Sequence, residues 1–329
     1  MLSSYLMIKR IPIILVVLIF PWLVSAEKIA IVDTGFNLES PVFSKANVQL
    51  YYLKKGAREC KGANQIDYLG EIYCLIEGGK GRHPLGHGAK VLSAAIEYDA
   101  GSSNIEYLAI DLIELSDHQE FETSAELAYV GVALAREIGA SVSVHAYYWG
   151  EYNMFSGSLI QTESFFLRDL FDQGHTFVFA VPNDGRNISA YRTSEIQAVM
   201  DSGHKVWPSF STQEERVLFV GAFDAESGFV TQDYPGSDPL VFQRYVSLRE
   251  GVEVVDNGGE TEIAIGTSML APKIAVFISQ VYEKCQPEHA KAWELVLENI
   301  KLNTEKGDPF FYGLGRFQES SPQINCNAF

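Results

Sequence analysis

Residues Gly266-Thr267-Ser268-Met269-Leu270-Ala271-Pro272 place a serine directly after a Gly-Thr turn, with small residues and a proline behind it. Ile274, Ala275, Ile278 and Val281 follow at helical spacing, so Ser268 stands at the mouth of a helix. There it has unpaired backbone N–H groups and the positive end of the helix dipole beside it. That setting suits a hydroxyl that attacks a carbonyl and must then face an oxyanion. It equally suits a serine that merely caps a helix. A nucleophile would need a base, an acid to orient the base, and oxyanion donors from elsewhere in the chain.

Three positions qualify. Asp33 ends an apolar run and begins Asp33-Thr34-Gly35, where a turn aspartate is the ordinary reading. His87, in Gly86-His87-Gly88, opens an apolar helix through Ala94, Ala95 and Ile96. Asn183 follows another apolar run and begins Asn183-Asp184-Gly185, by itself a plain turn. Together they give an order Asp…His…Asn…Ser in which every member sits at a strand end or a helix start. A neutral imidazole can take the proton of Ser268, and a carboxylate can hold its tautomer. The Asn183 amide and a backbone N–H at Ser268 can then hold the oxyanion. His83 and His87 are four residues apart, but Pro84 and Gly86 lie between them, so no helical metal pair is expected. Neither a metal nor a cofactor is expected.

The elements that must position these groups alternate. Strands are predicted over residues 27–32, 105–110, 141–147, 177–181 and 217–222, and helices over residues 125–138 and 159–171. The second helix closes at Gly174. Alternation of this kind predicts an α/β fold with a mostly parallel sheet and helices on both faces. Ligands gather outside the carboxyl ends of such strands, where Asp33, His145 and Asn183 lie.

These motifs resemble those of the subtilisin-like serine peptidases, the subtilases. The resemblance rests on residues 29–35, Gly86-His87-Gly88 with Val91, Asn183-Asp184-Gly185, and Gly266-Thr267-Ser268-Met269 with Ala271-Pro272. Residues 217–222 and the Gly313-Leu314-Gly315 tail are similar to further family segments, so the likeness spans residues 27–317. It implies a three-layer fold and an Asp33, His87, Ser268 triad with Asn183 as oxyanion donor. It also implies a substrate-pairing strand at Ser143, Val144, His145, Ala146 and Tyr147.

The chain departs from the pattern in several places. Ala89 stands where the family usually has threonine, Lys90 and Lys273 where it commonly has histidine, and Pro182 within a usually small pair. His145 and Tyr147 would narrow one side of the cleft. The stretch between acid and base is long, with Cys60, Cys74 and a Gly78-Gly79-Lys80-Gly81 loop at a cleft rim. The family leads one to expect a propeptide, yet Glu27 already begins the first strand.

Lys9 and Arg10 precede an apolar run over residues 11–24, and Val24-Ser25-Ala26 supplies small residues before Glu27. This pattern predicts a secretory signal over residues 1–26 and a single peptidase domain over residues 27–329, secreted or periplasmic, with no membrane span after cleavage. The formal charge of −17 becomes about −19 once that segment leaves, which disfavours nucleic acid as a partner. Cys60, Cys74, Cys285 and Cys326 allow three connectivities in an oxidising compartment, and the local pairing Cys60–Cys74 with Cys285–Cys326 is preferred. The expected partner is a protein or peptide substrate, with an inhibitor or chaperone supplied in trans. Two other readings carry the same residues: an inactive binding protein on this scaffold, and an acyl hydrolase acting on esters.

Overall fold

A computed structural model describes residues 26–56, 58, 60–61, 64–68, 70–78, 86–100, 104–112, 114–115, 121–122, 125–146, 170, 173–181, 183, 185, 187, 216–237, 241, 243–256 and 258–328. The chain opens with β1 (Lys28–Asp33), β2 (Asn47–Lys55), β3 (Gln65–Tyr68), β4 (Glu71–Glu77) and α1 (His87–Asp99). Next come β5 (Glu106–Asp111), the short strands β6 (Glu114–Leu115) and β7 (Phe121–Glu122), and α2 (Ala125–Glu137). The middle of the chain supplies β8 (Val142–His145), β9 (Thr176–Ala180), β10 (Val217–Phe223) and β11 (Tyr245–Arg249). A hairpin of β12 (Val252–Val255) and β13 (Thr261–Ala264) leads to α3 (Ala271–Cys285) and α4 (His289–Leu302). β14 (Thr304–Glu305), α5 (Pro309–Tyr312) and β15 (Arg316–Phe317) complete the described elements.

Most strands join one sheet in the order β14-β15-β11-β10-β9-β8-β1-β5-β2-β4-β3. The run from β15 to β2 is parallel throughout, while β14, β4 and β3 are antiparallel additions at the two edges. β1 shows why the sheet must be covered twice. Its residues Ile29 and Ile31 pack with α1 and α3, while Ala30 and Val32 pack with α2 on the opposite face. An apolar run with no polar alternation is the pattern of such a strand. The α/β fold, the mostly parallel sheet and the helices on both faces are therefore as expected. Most of the helix expected over residues 159–171 lies outside the described residues, as does residue range 1–25.

The chain lays β2 and β5 on one side of β1 and β8 to β11 on the other, and such a switch point makes the carboxyl end of β1 the place for a ligand crevice. The long stretch between Asp33 and His87 contains β2, β3 and β4. β2 pairs with β5 from Asn47 to Tyr52 and then continues to Lys55 beyond the end of β5, where β4 accompanies it. Cys60 is bridged to Cys74 of β4, and Cys285 at the end of α3 to Cys326. Among the described residues no helix is long and apolar enough to cross a membrane.

The C-terminal tail is held by two asparagines four residues apart, Asn299 on α4 and Asn303 at its C-cap. Asn299 receives the N–H of Asn325 at 2.7 Å and donates to its carbonyl at 3.1 Å. Asn303 does the same with Gln323, at 2.6 and 2.7 Å. Four residues of helix rise about 6 Å, and two residues of extended chain span about 6.6 Å, so the two spacings match. Both side chains are buried. Replacing Asn299 with Ala strands a backbone donor and an acceptor. We expect a loss of about 1–3 kcal/mol in urea unfolding and faster amide exchange at Asn325. An unchanged exchange rate would count against this role.

Candidate active site

Asp33 is fully buried at the end of β1. Its Oδ1 receives the N–H of Thr34 at 2.6 Å, and Nδ1 of His87 lies 2.8 Å from Oδ1 and 3.0 Å from Oδ2. The helix that carries His87 is fastened to the same turn. The N–H of Gly88 donates to the carbonyl of Thr34 at 2.7 Å, and that of Ala89 to the carbonyl of Gly35 at 3.2 Å. Two of the otherwise unpaired donors of the α1 N-terminus are thereby satisfied by the Asp-Thr-Gly turn itself. Gly88 rests on the ring of Phe36: a Cβ there would come within 2.7 Å of the ring, so only glycine fits.

With Nδ1–H directed at the carboxylate, the lone pair of His87 is left on Nε2. The Asp33 carboxylate raises the His87 pKa above its usual 6.5, against the opposing effects of burial and of Lys90 one turn along α1. The side chain remains about one third exposed, as a group that must meet a second reactant requires.

Ser268 lies in a 3-10 turn, Thr267–Met269, at the entrance to α3. Gly266 before it has φ 124°, a left-handed conformation open to glycine and strained for other residues. The turn packs on α1. The hydroxyl of Ser268 donates to the carbonyl of Ala146 at 2.7 Å, and among the described residues no hydrogen bond joins it to His87. Ala146 follows β8, whose Val32↔His145 pairing with β1 sets it beside Asp33.

Asn183 is held by Thr267. Its Oδ1 accepts from the N–H of Thr267 at 3.4 Å and from the Thr267 hydroxyl at 3.2 Å. That hydroxyl also lies 2.5 Å from the carbonyl of Val181. With the oxygen engaged, the Nδ2 donor remains available on the side of Gly266, where a Cβ would sit 3.5 Å from it. The structure thus gathers Asp33 and His87 in one hydrogen-bonded pair, and Asn183 and Ser268 on one turn. Thr267 as the holder of Asn183 was absent from the sequence expectations. The Gly-Thr-Ser order was its only signal.

Ser143, Val144 and His145 are placed differently from an open cleft wall. Their main chain is paired to β1 on one side and β9 on the other, and their side chains are buried. His145 stacks on Phe179 with ring centroids 4.6 Å apart. Tyr147, Pro182 and His83 lie outside the described residues. The hairpin β12–β13 is the other element missed, although its Gly258-Gly259 turn between alternating residues was a readable signal. It ties the two halves of the site together. The N–H of Val255 donates to the Ser93 hydroxyl of α1 at 2.9 Å, Lys90 pairs with Glu262 at 2.5 Å, and β13 runs on into Gly266.

We expect Thr267→Val to leave the Val181 carbonyl and the Asn183 amide short of a donor, at about 1–3 kcal/mol in chemical denaturation. Thr267→Ser should behave as the parent. Equal stabilities for Val and Ser would remove the hydroxyl from this role.

No family model matches the sequence, and no curated protein does. Solved structures match the fold. The patellamide maturation protease PatA shares 14% identity at a TM-score of 0.56, over 89% of this chain and 94% of that one. The epidermin leader peptide processing serine protease EpiP from Staphylococcus aureus shares 15% at 0.58, over 89% and 74%. The nisin leader peptidase NisP from Lactococcus lactis shares 16% at 0.55, over 87% and 84%. With its parallel sheet, its two helical faces and these neighbours, the chain has a subtilisin-like α/β fold.

Proposed function

We propose that this protein is an exported serine endopeptidase acting through Asp33, His87 and Ser268. The observation that carries the reading is the His87–Asp33 pair, which bares Nε2 at the helix start that packs on the Ser268 turn. In the first step Ser268 turns from the Ala146 carbonyl to Nε2 of His87. Its Oγ–H proton passes to Nε2 as Oγ bonds to the substrate carbonyl carbon. The oxyanion is met by Nδ2–H of Asn183 and the backbone N–H of Ser268. The imidazolium, stabilised by Asp33, then gives its proton to the leaving nitrogen as the C–N bond breaks. Water repeats the sequence on the acyl ester, with His87 again the base, and frees Ser268.

Peptide rather than ester as the substrate draws support from the structural neighbours, which are leader-peptide processing and maturation proteases. Substrate backbone pairing is assigned to Ala146 and Tyr147. Residues 1–26 are assigned as a signal and residues 27–329 as the catalytic unit, and the two disulfides fit an oxidising compartment. The Ser268 hydroxyl bonded to Ala146 favours one rival, a non-catalytic binding protein on this scaffold.

Labelling of the purified protein with a fluorophosphonate decides between them. We expect a stoichiometric adduct on Ser268 that is lost in Ser268→Ala at unchanged melting temperature. A folded protein that takes no label would leave the binding reading. Asn183→Ala should lower kcat about 10²–10³-fold, as for one lost oxyanion donor. Because only neutral His87 can act as base, and Asp33 raises its pKa, kcat/KM should rise with pH through a midpoint above 6.5. A midpoint below 6.5 would contradict that role for Asp33.

A further inference from the structure

Three buried polar side chains take no part in the chemistry above. Ser143 and His145 lie on β8, and His175 immediately precedes β9. The Ser143 hydroxyl is 2.9 Å from Nε2 of His145 and 2.9 Å from Nε2 of His175. All three are buried, with relative exposures of 0%, 1% and 0%. The hydroxyl has a single proton, so it donates to at most one of the two ring nitrogens and must accept an Nε2–H from the other. Phe179 stacks on His145, and Phe177 meets His175 edge-on at 4.9 Å.

Among the described residues, two guanidiniums lie close to them. From α2, Arg136 donates to the carbonyls of Ala140 and Gln173 at 3.3 and 3.0 Å. At the entry to β10, Arg216 donates to the carbonyl of Gly174 at 2.7 Å. These two guanidiniums bracket the turn that ends in His175. From α3 the hydroxyl of Tyr282 bonds that of Thr176, and ahead of β1 Glu27 accepts from Ser141. Burial raises the pKa of Glu27, a carboxylate that interacts with Arg136 and Glu283. A proton on either ring would create a buried cation beside the other ring and close to two guanidiniums. Burial holds both imidazoles at about 3, helped at His145 by His175 and at His175 by Arg136 and Arg216.

An unfolded histidine titrates near 6.5. Between about 6.5 and about 3 the unfolded chain therefore binds more protons than the folded one at these two sites. Their contribution to stability is whole above 6.5 and is lost as the pH falls. The cluster is also well placed to matter. His145 pairs with Val32, one residue before Asp33, and is followed by Ala146, whose carbonyl holds Ser268.

We propose that the Ser143–His145–His175 chain is an acid-triggered release built into the sheet: proton uptake by the two rings opens the β8–β9 pairing beneath Asp33 and Ser268 and switches the protein off. The peptidase reading enters only in what is switched off. The release is measured as stability, so it stands or falls apart from that reading.

Denaturant unfolding of the Ser268→Ala chain between pH 7.5 and 5 tests it. Below about pH 6 two protons should accompany unfolding, so the unfolding constant should rise about 100-fold per pH unit. In the His175→Gln background the rise should fall to about 10-fold. A rise near unity in the parent, or an undiminished one in His175→Gln, would overturn the proposal. Should His175→Gln fail to fold, imidazole NMR of the parent decides. At least two of the seven histidine rings should show no titration before the native spectrum is lost, whereas seven rings titrating with midpoints near 6.5 would overturn it.

Discussion

Gly88 sits on the ring of Phe36 with no space for a side chain, and that contact governs how α1 meets the end of β1. Phe36 follows the Asp33-Thr34-Gly35 turn, so one short segment supplies a carboxylate, two carbonyl acceptors for the α1 N-terminus and the ring on which the helix rests. A larger residue at position 88 would lift α1 and separate Nδ1 of His87 from the carboxylate. The hairpin on α1 and the Ser268 turn beyond it take their positions from that same helix.

The strands nearest the site were legible because they are covered on both faces. The runs at 27–32, 105–110, 177–181 and 217–222 needed no partner information to be recognised as buried parallel strands. Asp33, His87, Asn183 and Ser268 were legible as a set through their order, while each alone had an ordinary turn or cap explanation. Less was visible where position depends on contacts distant in sequence. Ser143 and His145 were expected at a cleft, but registry with β1 and β9 puts both inside the sheet. Only the partner strands decide which residues of an apolar run protrude beyond its last hydrogen bond. The Thr267–Asn183 contact spans 84 residues, and the Gly-Thr-Ser order alone does not name its partner.

The likeness to leader-processing proteases is one of architecture, at 14–16% identity over most of the chain. Such a fold can persist while its contacts are rebuilt, because the sheet requires apolar volume on two faces and tolerates many ways of filling it. The polar contacts are less forgiving, because several of them are taken out of water. They include the carboxylate of Asp33, the paired rings on Ser143, and Asn299 and Asn303. Each has a partner remote in sequence, so a substitution at one leaves the other stranded at a cost that solvent does not relieve.

The two asparagine clamps of α4 also set a timetable for folding. Until residues 323 and 325 have left the ribosomal tunnel, Asn299 and Asn303 have no backbone to hold, and Cys285 has no Cys326 to join. A ribosome-bound chain halted short of residue 323 would therefore present both asparagines at this helix end with no backbone opposite them.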